Sequence, residues 1–201
     1  MDYWQALILG AIEGVTEFLP ISSTGHLILA SKVMGIAQTE FVKSFEIAIQ
    51  LGAILAVLIL YGRVLWRDRE ITKRVLVAFL PAALIGFTLY KLIKQFLIGN
   101  EMIVVVALAL GGVAIILFER FHHERQITMT ECKTMSYSKA LAIGLFQSLA
   151  IIPGVSRSAA TIVGGLLCGL NRTSIAEFSF MLAIPTMMAA TGYDLLRNGQ
   201  S

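Results

Sequence analysis

The chain has 201 residues, 57% of them hydrophobic and 14% charged, with a formal net charge of +3 and a mean hydropathy of +0.78. A soluble domain carries about 45–50% apolar and about 25% charged residues, so a soluble globular protein is excluded, as is an outer-membrane barrel, whose strands would alternate rather than run unbroken. The small net charge, with its basic residues gathered in loops, excludes nucleic acid as a partner and leaves an all-α, polytopic membrane protein.

The first element is interrupted. Apolar pieces at 3–19 and 27–37 flank the stretch 13–26, Glu-Gly-Val-Thr-Glu-Phe-Leu-Pro-Ile-Ser-Ser-Thr-Gly-His. Each apolar piece is short against the roughly 17–25 residues a full span needs. Glu13 and Glu17 are four apart and share one helix face. Pro20 is expected to break the helix, Ser22, Ser23 and Thr24 to fall in the turn after it, and Gly25 to free the backbone before His26. Each ionised group at bilayer depth costs roughly 2.5–3.5 kcal/mol, which marks such a cluster as a site. The pattern predicts a re-entrant helical hairpin over 1–37, tolerated only where protein or a watery cavity surrounds it. No cleavable signal peptide is expected, since the chain opens on Asp2 without a basic segment.

Three spans follow, at 45–61, 75–90 and 102–118, the second helped by snorkelling of Lys91 and Lys94. Glu46 and Gln50 open the first on neighbouring turns of one face, facing either the cavity of the polar cluster or, for Glu46 equally, helix-end solvent. Loops 62–74 and 119–139 are rich in Arg and Lys and are therefore expected in the cytoplasm, with 38–44 outside and the first hairpin open to the outer face. His122 and His123 are read as solvated loop residues. Cys132 and Cys168 have no metal-ligand spacing; Cys132 is expected as a free thiol in a polar loop and Cys168 as a small helix residue.

From residue 140 the chain repeats. Ala6, Leu7 and Gly10 match Ala140, Leu141 and Gly144, Glu13 falls on Gln147, and Pro20 falls on Pro153, at an offset of 133–134 residues. Because three spans follow the first hairpin, the second copy begins on the other side, which is an inverted-topology repeat. The expected division is a first repeat over 1–119, a cytoplasmic loop over 120–139 and a second repeat over 140–201. The second holds a re-entrant hairpin at 140–170 and a span at 178–193. Counterparts of two spans are missing, so the chain is expected to be a truncated form of a longer protein.

The second polar turn, 153–161, reads Pro-Gly-Val-Ser-Arg-Ser-Ala-Ala-Thr. Arg157 is a fixed cation whose fork suits two phosphate oxygens; the alternative is a structural ion pair with Glu13 or Glu17. Ser156, Ser158 and Thr161 add hydroxyls, Gly154 lets the chain turn, and Thr161 is expected to begin a helix with its N–H groups toward an anion. Arg172 and Glu177 mark an interface before the last span. Two hairpins related by inversion would meet tip to tip, gathering a phosphate binder, activatable hydroxyls, an imidazole and two carboxylates able to hold a hard divalent cation. That set suits phosphoryl transfer on a substrate arriving through lipid.

At these motifs, 13–26 and 153–161, the sequence resembles the bacterial undecaprenyl-diphosphate phosphatase family, also called bacitracin-resistance proteins. The runs at 45–52 and 177–185 are similar to family sequence as well. Two departures stand out: Ala159 where the family usually has Gly, and family members that continue for further membrane helices. The resemblance implies hydrolysis of undecaprenyl diphosphate at the outer face of the bacterial cytoplasmic (inner) membrane, which recycles the carrier for cell-wall polymers and gives bacitracin resistance. It implies Mg²⁺ or Ca²⁺ on Glu13 and Glu17, and Ser23 as nucleophile with His26 as its base or as the alternative nucleophile. Glu17 and Arg157 join the catalytic set, and Ser22, Thr24, Gln50, Ser156, Arg157, Ser158 and Thr161 hold the substrate. Expected partners are the polyprenyl diphosphate and membrane lipid, with a homodimer as a further candidate. The rival function is a polyprenyl-phosphate transporter or flippase, since midplane polar turns in inverted repeats are also a transporter design.

Overall fold

The structure, a computed structural model, describes residues 1–37, 39–96, 101–122 and 132–198. Among the described residues it is all-helical: α1 Tyr3–Thr16, α2 Ser23–Val33, α3 Glu40–Arg67, α4 Arg69–Phe96, α5 Glu101–Phe121, α6 Tyr137–Gln147, α7 Arg157–Leu167 and α8 Arg172–Asn198. A 3-10 turn at Ser148–Ile151 extends α6. Four helices are long and apolar enough to cross a membrane, over Phe41–Arg67, Arg69–Leu89, Met102–Phe121 and Arg172–Gly192. The four helices that hold these stretches, α3, α4, α5 and α8, contain the four expected spans and overrun them. The 28 residues of α3 reach about 42 Å, enough to carry its charged ends through both headgroup layers. The side chains of Lys91 and Lys94, and all of His123, lie outside the described residues. His122 stacks on Phe118, ring centroids 4.6 Å apart.

Between the long helices lie two pairs of short ones, α1 with α2 and α6 with α7. The start of α1 is a capping box: Asp2 Oδ1 accepts from Gln5 N at 2.8 Å while Gln5 Oε1 accepts from Asp2 N at 2.9 Å. Gln5 Nε2 also donates to Met34 O at 3.3 Å, tying the open end of this hairpin shut next to the start of α3. The α6–α7 hairpin opens at the other end of α3. There Lys133 Nζ lies 3.1 Å from Asp68 Oδ2 and holds that carboxyl below its usual range. Tyr137 OH donates to Glu70 Oε2 at 2.9 Å, and the Arg74 guanidinium stacks 4.8 Å over the Tyr137 ring. Residues 62–74 and 132–139, both from loops expected on one side, share this end. Arg172 grips Glu119 with both Nη atoms at 2.7 and 2.8 Å, so α8 begins where α5 ends.

The main core lies between α4, α6, α7 and α8, around Ala78, Ile143, Phe178 and Leu182. Cys132 corrects the expectation of a thiol in a polar loop. It is buried in this core, its Sγ donating to Ser174 O at 2.9 Å, because the chain folds back onto the start of α8. The crossing of α4 and α6 depends on Gly144, where a Cβ would overlap the carbonyl of Ala78. Gly144→Val is therefore expected to destabilise by about 1–3 kcal/mol, read as a lower thermal midpoint in detergent. At Gly10 a Cβ would meet only Ile49 Cγ2 at 4.0 Å, so Gly10→Ala should leave that midpoint in place.

Candidate functional site

The tips of the two short hairpins touch. Helix α1 ends at Thr16, and Glu17 caps it with helical dihedrals (φ −61°, ψ −39°), so Glu17 stays on the face of Glu13 one turn earlier. The chain then reverses through residues 17–21 and Ser22. Ser22 adopts φ 65°, ψ 94°, left-handed backbone that a non-glycine residue holds only under strain. Because that one residue completes the reversal, α2 begins at once. Ser23 and Thr24, expected in the turn, instead occupy its first two positions. Gly25 likewise is helical; its missing side chain admits Leu108 of α5, whose Cδ1 would lie 2.6 Å from a Cβ.

On the other tip Gly154 turns with φ +93°, and a Cβ there would sit 2.6 Å from Val104 O. Ser156 caps α7, accepting from Ala159 N at 3.2 Å. This cap starts the helix at Arg157, so Thr161, expected to open it, falls on its second turn. The N-termini of α2 and α7 thus both begin at the junction of the tips, each with its partial positive charge there.

Glu17 is the hub. Arg157 Nη2 donates to Glu17 Oε1 at 2.9 Å, and Ser23 Oγ donates to Glu17 Oε2. Arg157 Nη1 donates to Ser179 O at 2.9 Å, which fixes the plane of the guanidinium against α8. The side chains of Arg157 and Glu17 are only 12% and 8% exposed. Ser158 Oγ reaches across to Leu19 O at 2.6 Å. Thr161 Oγ1 bonds Arg157 O and Ser158 O, each at 3.0 Å, and Ser179 Oγ at 2.6 Å. His26 Nδ1 sits 2.9 Å from Ser22 O. A carbonyl can only accept, so Nδ1 carries the proton and Nε2 is the basic nitrogen of the neutral ring. Glu13 is fully buried and, among the described residues, neither of its carboxylate oxygens has a hydrogen-bond partner.

A cavity of about 780 Å³ opens over this junction. One end is polar, with Glu17, Ser22, Ser23, Thr24, Ser156 and Arg157 in its lining. The rest is walled by apolar residues between Phe79 and Phe87 of α4 and by Met187, Ala189 and Ala190 of α8. Of the residues singled out in the sequence, Glu17, Ser22, Ser23, Thr24, Gln50, Ser156 and Arg157 line the cavity. Glu13, His26, Ser158 and Thr161 are not in its lining, and the hydroxyls of the last two are engaged within the protein. Gln147 and Thr186 also line it and were not among the sequence candidates. Gln147 carried one signal, its alignment with Glu13 in the repeat; Thr186 carried none.

The family model described as bacitracin resistance protein BacA matches residues 6–201. The chain is similar to the undecaprenyl-diphosphatase of Aquifex aeolicus (strain VF5), with 59% identity over 201 residues, 100% of this chain and 78% of that protein. It is 55% identical to the undecaprenyl-diphosphatase of Sulfurihydrogenibium sp. (strain YO3AOP1) over 98% of this chain and 77% of that protein. With the undecaprenyl-diphosphatase of Thermus thermophilus the identity is 50%, over 97% of this chain and 75% of that protein.

Proposed function

Since this chain belongs to the bacitracin resistance protein BacA family, we infer that it hydrolyses undecaprenyl diphosphate to undecaprenyl phosphate and inorganic phosphate. Such a reaction returns the lipid carrier to cell-wall synthesis and confers bacitracin resistance. The observation that carries this reading is the two-part cavity, cationic and hydroxyl-rich at one end and apolar along the rest. Its shape suits a diphosphate head with a hydrocarbon chain attached.

Arg157, with Ser22, Thr24, Gln50 and Ser156, binds the diphosphate. Its Nη1 stays on Ser179 O, so the guanidinium keeps its plane when phosphate competes with Glu17 for Nη2. The N–H groups opening α2 and α7 add donors for the equatorial oxygens. Ser23 Oγ attacks the terminal phosphorus, the bond from that phosphorus to the bridging oxygen breaks, and the serine proton passes to Glu17, to which it is already hydrogen-bonded. His26, with Nε2 as its basic atom, then activates the water that releases phosphate. Ser158 ties the second tip to the first through Leu19 O, and Thr161 ties α7 to α8 through Ser179 Oγ.

The orphaned carboxylate of Glu13, fully buried beside Glu17, fits a divalent cation. Among the described residues no three His, Cys, Asp or Glu side chains converge. Two carboxylates completed by substrate phosphate oxygens is the way Mg²⁺ is commonly held. When bound, the ion would offset charge on the phosphoryl oxygens.

By the positive-inside rule the end bearing Arg67, Arg69, Lys73 and Lys133 faces the cytoplasm. The short hairpins are then re-entrant from opposite faces. The cavity, lined from the middle of α4 and from residues 186–190 of α8, lies toward the outer side of a bacterial inner membrane.

The test is phosphate release from a polyprenyl diphosphate by the purified protein. Release is expected, lost on chelation, restored by Mg²⁺ or Ca²⁺, and reduced by about a hundredfold or more in Glu13→Gln. Movement of the lipid between leaflets with its diphosphate intact would make this a transporter.

A further inference from the structure

Gln147 has no part in the mechanism above, yet it is a 1%-exposed side chain in the lining of the reaction cavity. It ends α6, and the chain tightens directly after it into the 3-10 turn that brings Ala150 and Ile151 to the same lining. Gln147 Nε2 donates to Thr186 Oγ1 at 3.2 Å, and Thr186 Oγ1 donates to Leu182 O at 2.7 Å. The one hydroxyl hydrogen of Thr186 lies mainly on Leu182, since its other acceptor, Gln147 Oε1, is at 3.5 Å. Toward Gln147 the threonine is thus chiefly an acceptor, which favours the carboxamide with its nitrogen on the threonine side. A carboxamide has two N–H donors, so one remains for an occupant of the cavity. Met187, next in the chain, lies 3.8 Å from Arg157 Nη2, and Ala189 and Ala190 line the apolar part. The pair therefore stands where the cationic end passes into the hydrocarbon wall.

In a polyprenyl diphosphate, the group at that boundary is the lipid-side phosphate. We propose that the Gln147 carboxamide, held by Thr186, donates its free N–H to the lipid-side phosphate of the bound diphosphate and so contributes to seating the head group at the mouth of the apolar wall. The proposal rests on the hydrolase reading. Charge explains why an amide stands where the other half of the repeat has Glu13: a carboxylate here would face the phosphate with no cation assigned to it.

Three variants test it on the purified protein: Gln147→Leu, Gln147→Glu and Thr186→Val. Loss of the hydrogen bond in Gln147→Leu should raise KM for a polyprenyl diphosphate about tenfold with kcat changed by less than about threefold, the pattern of lost ground-state binding. Gln147→Glu keeps the shape and adds a charge, and should raise KM further. Thr186→Val frees the carboxamide to turn and should fall between. Inhibition by inorganic phosphate should not change. Unaltered KM in the two Gln147 variants overturns the proposal. So does a fall in kcat and thermal midpoint at constant KM, which would make the pair structural, or relief of inorganic-phosphate inhibition alone, which would give it to the released product. Binding of a methylene-bridged polyprenyl diphosphonate and of a polyprenyl phosphonate separates the two readings. Gln147→Leu should weaken both about tenfold, since both carry the lipid-side phosphorus group, whether or not the wild type releases phosphate; weakening of the diphosphonate alone would place the contact on the terminal phosphate and overturn the proposal. Absence of release by the wild type would count against the hydrolase reading alone.

Discussion

Arg157→Lys is expected to lower kcat/KM for phosphate release by about a thousandfold or more, the scale set by loss of an arginine from a phosphoryl-transfer site. The geometry explains why a retained positive charge does not suffice. Arg157 divides its fork between Ser179 O and Glu17 Oε1, each at 2.9 Å. An ammonium is a point charge and cannot keep one arm on α8 while offering the other to phosphate. Arg157→Ala differs in kind. It leaves Glu17, 8% exposed, as a buried carboxylate without its cation, and breaking such a pair from one side costs about 3–5 kcal/mol. Adding Glu17→Gln to Arg157→Ala should recover much of that stability and none of the activity. Thermal midpoints and phosphate-release kinetics across this set separate the two roles. An Arg157→Lys enzyme within tenfold of wild type would mean that the arginine only neutralises Glu17.

The charged residues of the two tips are legible in the sequence because charge is expensive in an apolar run. Glu13, Glu17, His26 and Arg157 stand out against their surroundings whatever the helix boundaries are. The spans at 45–61, 75–90, 102–118 and 178–193 are legible for the same reason: long apolar stretches each lie within one of the long helices. Backbone detail at the tips is not. No residue type signals that Ser22, a non-glycine, takes φ 65° and lets α2 begin at Ser23. The Ser156 cap likewise moves the start of α7 four residues ahead of Thr161. Pairings distant in sequence are equally silent. Cys132 lies in the core because Ser174 accepts from it 42 residues away, and Gln147 joins the cavity through Thr186, 39 residues on. Each of these residues, read alone, is an ordinary polar position in a loop or helix.

Ser23→Ala should lower kcat by about ten-thousandfold or more, the usual consequence of deleting a nucleophile, while leaving the protein folded. The removed hydroxyl makes one hydrogen bond, to Glu17 Oε2, and Glu17 keeps its pair with Arg157. The stability cost is that of one bond, about 1 kcal/mol. The two effects together distinguish a reacting group from a scaffold group, because a structural serine would lower stability at least in proportion to activity. The phospho-enzyme gives a second readout. If Ser23 carries the phosphoryl group and His26 Nε2 activates the hydrolytic water, then His26→Gln slows the second step, by about 10²–10⁴-fold for loss of a general base. Label from a terminally ³²P-labelled substrate should then accumulate on the protein, and the Ser23→Ala/His26→Gln double variant should carry none. Full turnover in Ser23→Ala would transfer the attack to His26 or to water. Label retained in Ser23→Ala but absent from His26→Gln would identify the imidazole as the group that is phosphorylated, with Glu17 and Ser23 left to bind and orient the head group.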